Sequence, residues 1–96
     1  MVSFTDAGKT IKTVALCSGG GGDLVAAAKN IGADAFLTGE AKHHEYLYSN
    51  DSGISMFVAG HFETEILSIK PLMNKIKDKF NITCELAKQE SPIITI

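Results

Sequence analysis

The chain carries three histidines, and the spacing of one of them suggests chemistry. His61 precedes Glu65 by four positions at the head of a helical pattern, where such residues share one face a turn apart. An imidazole nitrogen and a carboxylate oxygen presented together suit zinc, iron or manganese. The same spacing also occurs as a surface contact or a helix-start hydrogen bond, so it does not decide the matter alone. Two protein donors make an incomplete site, because zinc centres normally use three or four. If His61 and Glu65 are metal ligands, the rest of the donor set comes from elsewhere.

A second stretch, Thr38-Gly39-Glu40-Ala41-Lys42-His43-His44-Glu45, follows an apolar run and leads into a helical pattern. Adjacent histidines on a helix point about 100° apart, so only one of His43 and His44 can face a given site. One of them suits substrate contact or support of a metal ligand; an exposed polar helix face accounts for the pair equally well. Glu40 is either a helix cap or a functional carboxylate. A third stretch, Gly19 to Gly22, stands between a strand pattern and a helix start, the arrangement that cradles phosphate with backbone N–H groups. It lacks the Lys-Ser/Thr of a P-loop and the last glycine of a dinucleotide fingerprint. Asp23 also puts a carboxylate where an anion would sit. A tight connection is the plainer reading.

The elements that must place these residues alternate. Residues 1–10 read as a lead-in segment without period, and residues 11–96 as a single α/β domain. Strands are expected over 12–17, 33–38, 54–59 and 82–87, with a fifth over 92–96. The mostly apolar run at 12–17 reads as buried on both faces. Helices are expected over 24–31, with Asp23 as N-cap and Gly32 as the stop, over 40–49, and over 62–80. In the last, Ile66, Ile69, Met73, Ile76 and Phe80 recur at three- and four-residue steps, the spacing of a buried stripe. Pro71 should kink that helix or begin a fresh one. Alternation predicts a three-layer α/β fold: a mainly parallel sheet of four to five strands with helices on its faces.

Composition narrows the function classes. With 96 residues, 45% apolar and 21% charged, the chain suits one small soluble domain whose core is thin enough to benefit from a partner. The formal charge of −2 offers no basic excess for nucleic acid. No apolar run reaches membrane-spanning length and no signal-peptide core is present. Cys17 and Cys84 lie in apolar runs without CxxC spacing, as expected of reduced, buried thiols in a cytoplasmic protein.

Taken in order, four motifs resemble a known family. They are the run from Val14 to Gly22, the block Gly32-Ala33-Asp34-Ala35-Phe36-Leu37-Thr38-Gly39-Glu40, the segment from Lys42 to Glu45, and Ala59-Gly60-His61-Phe62-Glu63-Thr64-Glu65. From about Ile11 to its end the chain resembles the C-terminal half of the Nif-three-like dinuclear metal centre family, the GTP cyclohydrolase 1 type 2 homologues. The resemblance implies that His61 and Glu65 ligate a metal pair, and that Thr38, Gly39, Glu40 and His44 border the site. Glu40 and His44 are then the candidate catalytic groups, for proton transfer or substrate contact. The family's first half, with a His-His-Pro segment and a downstream Asp that supply the other ligands, has no counterpart here. The implied partner is therefore that N-terminal half or a second subunit in a homo-oligomer, hexameric rings being the family's pattern. This chain alone is expected to be inactive. The leading expectation is a domain of a hydrolase-like, metal-binding protein. Two others stand beside it: an interaction or regulatory module with a vestigial metal site, and a phosphate- or nucleotide-binding module built on residues 19–22.

Overall fold

The computed structural model describes all 96 residues. It divides into two compact units, Met1–Glu65 and Ile66–Ile96. In the first, β1 (Ser3–Thr5), β2 (Val14–Cys17), β3 (Ala35–Thr38) and β4 (Ser55–Val58) form one sheet in the order β1-β4-β3-β2. The β2–β3 and β3–β4 pairs are parallel, and β1 joins β4 antiparallel. The chain is thus an α/β domain with a sheet of four strands, mixed because of β1. The register sets Cys17 beside Thr38 and Thr38 beside Val58. Three parallel strands therefore end level, and the loops that follow them gather at one rim, where open α/β sheets place their sites.

One sheet face is covered. Phe36 and Met56 point to it and pack with Ile54 and with Val25 and Ala28 of α1 (Val25–Asn30). Tyr46 of α2 (His43–Ser52), Ala15, Cys17 and Val58 extend this core. Alternation sends Val14 and Leu16 to the opposite face, and there they are 56% and 71% exposed. Phe4 stacks on Phe57 on that side, with ring centroids 5.9 Å apart. The expectation that the strand within residues 12–17 is buried on both faces is therefore corrected. An apolar run satisfies a covered strand, but this chain covers only half of it.

Local chemistry sets the helix ends. A 3-10 turn, Gly22–Leu24, precedes α1, and Asp23 lies inside it without capping. Gly32 ends α1 at φ +87°. The Gly32 and Ala33 N–H groups donate to the Lys29 and Ala28 carbonyls, satisfying the helix end as a left-handed glycine does. The second helix begins at His43, three residues after Glu40, so Glu40 stands in a loop. The capping role, one of the two readings of Glu40, is filled by Glu45, whose Oε2 accepts the Lys42 N–H at 2.6 Å. Asp34 Oδ2 accepts the Lys12 and Thr13 N–H groups, both at 2.9 Å, and the Thr13 hydroxyl at 3.1 Å. These bonds tie the approach to β2 against the start of β3.

Helix α3 (His61–Phe80) begins in the first unit and runs unbroken through Pro71, so no fresh helix starts there. In the second unit Ile66, Met73 and Ile76 are half-buried while Ile69 and Phe80 are exposed. None of the stripe is fully buried. Ile69 and Met73 border a cleft of about 150 Å³ with Leu86 and Ala87. Residues 82–87 and 92–96 form no strand, which corrects the reading of a fourth and fifth strand. The fourth strand is Ser3–Thr5, within the segment read as an irregular lead-in. No helix is long and apolar enough to cross a membrane. Both cysteines are free and half-buried.

Candidate metal centre

Three loops build the rim. Residue 19 follows β2, 39–40 follow β3, and 59–60 lead from β4 into α3. The Gly39 and Glu40 N–H groups both donate to the Gly19 carbonyl, at 3.0 and 2.9 Å. The Ala59 N–H donates to Thr38 O at 2.9 Å and the Gly60 N–H to Gly39 O at 3.0 Å. The Gly19 N–H donates to Thr64 Oγ1 at 3.0 Å, and that hydroxyl donates to Gly60 O at 2.8 Å. The first turn of α3 is thereby fastened to the loops after β2 and β3.

His61 and Glu65 stand on that turn. His61 Nε2 is 3.2 Å from Glu65 Oε1. Two donors sharing one cation at about 2.1 Å each stand about 3.0–3.4 Å apart, so this separation is compatible with a shared cation. The loop leaves room on that side because residue 19 is glycine. A Cβ there would collide with Glu65 Oε1 and lie 3.2 Å from His61 Nε2. The bare Cα forms one wall of a cradle that any side chain would fill, so the two residues fit a divalent cation as a partial site. No group of three or more His, Cys, Asp or Glu side chains is arranged to hold a metal ion, so the pair is a partial donor set.

The other ring nitrogen has its own partner. His61 Nδ1 is 3.1 Å from Glu40 Oε2, so the imidazole lies between two carboxylates. Its pKa is raised above the ordinary histidine value, first by the hydrogen bond with Glu40, against some desolvation, and then by the negative charges of Glu65 and Glu40. Glu40 also lines a cleft of about 520 Å³ with Gly20, Gly22, Asp23, Ala41, Lys42 and Glu45. The cleft is bordered by three carboxylates and one ammonium, and through Glu40 it adjoins His61.

Of the residues singled out in the sequence, His61, Glu65 and Glu40 come together. His44 does not join them. Its side chain is 74% exposed at the start of α2, with Glu45 Oε1 3.9 Å away. Three of the four amides of the glycine loop are already committed: the Gly19, Gly21 and Gly22 N–H groups donate to Thr64 Oγ1, Thr38 Oγ1 and Glu40 O. Those amides are turned inward, away from any anion, and the helix behind them has six residues. Sequence reasoning gave no role to Thr64. Its place three residues after His61, one turn into a helix that opens at a strand end, is the signal that points to it.

Comparison with known proteins agrees with this architecture. The family model Duf34/NIF3 (NGG1p interacting factor 3) matches residues 1–94. The GTP cyclohydrolase 1 type 2 homolog of Pyrococcus horikoshii is 40% identical over 72 residues, covering 75% of this chain and 28% of its own. The homolog of the same name from Pasteurella multocida is 33% identical over 92 residues, covering 96% and 37%. Protein TTHA1606 from Thermus thermophilus matches with a TM-score of 0.77 at 27% identity, over 96% of this chain and 37% of its own. The chain thus spans at most 37% of the length of these three relatives.

Proposed function

Because this chain belongs to the Duf34/NIF3 family, we propose that it is one domain of a divalent-metal-binding, hydrolase-like protein and supplies part of a dinuclear site. The observation that carries this reading is the 3.2 Å separation of His61 Nε2 and Glu65 Oε1 against the bare Cα of Gly19. His61 and Glu65 hold zinc, iron or manganese, and the remaining donors come from a further part of the fold or from another subunit. A cation held there supplies Lewis acidity for hydrolysis. Glu40 both contacts His61 and lines the 520 Å³ cleft, which makes it the residue that connects the ligand pair to a substrate held in that cleft. His44, exposed at the head of α2, faces whatever approaches from solvent.

The exposed side chains of Phe4, Val14 and Leu16 suit a covering partner, either the rest of the family's fold or a second copy in a homo-oligomer. Two free cysteines suit the reducing cytoplasm. This chain alone has no complete donor set and is inactive by itself. The test is a titration of zinc or manganese into the wild type and into a His61→Ala, Glu65→Ala double variant. The wild type takes up metal and the double variant does not; equal uptake by both removes the assignment.

A further inference from the structure

A histidine ligand has two nitrogens, and the hydrogen bond at one decides which is left to bind metal. In this site both nitrogens face carboxylates, so the choice between them has to be made by geometry. Glu65 is on the same helical turn as His61. Glu40 comes from a different strand end, and its backbone is fixed on both sides: its N–H donates to Gly19 O at 2.9 Å and its carbonyl accepts the Gly22 N–H at 3.1 Å. The platform that carries the Glu40 carboxylate is therefore hydrogen-bonded to the loop that walls the ligand cradle.

We propose that Glu40 is a positioning residue: its Oε2, 3.1 Å from His61 Nδ1, keeps a proton on Nδ1 and turns Nε2, beside Glu65 Oε1, toward the cation. This rests on the reading of His61 and Glu65 as ligands. It gives Glu40 a task separate from proton transfer to a substrate. The hydrogen bond fixes ring rotation and tautomer together, and a carboxylate in that place raises the ligand's basicity. It also explains why a loop residue, and not one on α2, faces the imidazole. The loop is locked to the Gly19 carbonyl, whereas His44, at the head of the helix, points to solvent.

The experiment compares the full chain with its Glu40→Ala and Glu40→Gln variants, using zinc alone as the probe. Zinc affinity is expected to fall roughly 10–100-fold in Glu40→Ala. It should fall less in Glu40→Gln, whose amide oxygen still accepts from Nδ1. A second readout needs no metal: nitrogen NMR of the His61 ring in alkaline buffer, where the imidazole is neutral. The wild type should hold the Nδ1–H tautomer, and Glu40→Ala should shift toward Nε2–H. Urea unfolding of all three chains checks that the fold survives. The proposal is overturned if Glu40→Ala binds zinc as tightly as wild type, or if the metal-free wild type carries its proton on Nε2. Loss of zinc in the His61→Ala, Glu65→Ala variant alongside an unaffected Glu40→Ala would overturn the role of Glu40 and leave the ligand reading standing. A wild type that binds no zinc would remove both.

Discussion

The missing side chain of Gly19 leaves the room that the Glu65 carboxylate occupies beside His61. A Cβ would run into Glu65 Oε1 and stand 3.2 Å from His61 Nε2, and the residue is also held at φ +69°. Gly32 offers the matching control, with φ +87° and open space around its Cα. Each substitution to alanine strains the backbone by about 1–2 kcal/mol, so both variants should lose comparable stability in urea. Only Gly19→Ala should lose zinc uptake as well. If Gly32→Ala loses it to the same degree, the cradle is not what holds the metal.

Thr64 makes a second prediction separable from the ligands themselves. Its hydroxyl accepts the Gly19 N–H and donates to the Gly60 carbonyl. Replacement by valine keeps the shape but leaves a part-buried N–H without its acceptor, a cost of about 1–3 kcal/mol. Thr64→Val should therefore lower the urea midpoint and weaken zinc uptake together, because the loop that walls the cradle is released. Thr64→Ser restores the hydroxyl and should recover both. A serine variant that recovers stability but not uptake would show that the methyl group, and not the hydrogen bonds, matters to the site.

Acid stability should depend on Asp34. Its carboxylate is held below the ordinary range, first by the Lys12 N–H, then by the Thr13 N–H and hydroxyl. A depressed folded pKa means that the contribution is full above the unfolded value of about 4 and disappears as pH falls through the lower folded value. Between neutral pH and about 5 the contribution should be constant; below about 4 it should decline. In Asp34→Asn that part of the acid decline should be absent and neutral stability lower. Parallel pH profiles for the two chains would contradict this.

The sequence made some of this structure readable and hid the rest for physical reasons. The His61–Glu65 pair is visible because residues four apart are neighbours on any helix. The Glu40–His61 contact is not, because it depends on β3 and β4 being adjacent, parallel and level at their ends. That relation lies in the register and not in either segment. Residues 82–87 and 92–96 have strand composition yet pair with nothing, since β propensity reports a fit to a neighbour more than a preference of the chain. Ser3–Thr5 is too short to display a period of two, and only its pairing with β4 makes it a strand. The α3 stripe has the right spacing for burial, but spacing cannot say which chain supplies the cover.

The two faces of the sheet make the last prediction. Met56 on β4 is fully buried in the core that α1 and α2 cover, while Leu16 on β2 points the other way and is 71% exposed. Met56→Ala empties a packed position and should cost about 2–5 kcal/mol. Leu16→Lys alters only the open face and should change the stability of the isolated chain by no more than about 0.5 kcal/mol. If that face is where another segment or subunit docks, a buried lysine there is costly. Light scattering across a concentration series should then show the wild type associating and Leu16→Lys staying monomeric, with the melting temperature of the dilute chain unchanged. Equal masses for the two chains at every concentration would rule out self-association through Leu16. A marked loss of stability in dilute Leu16→Lys would mean that the side chain packs within its own domain after all.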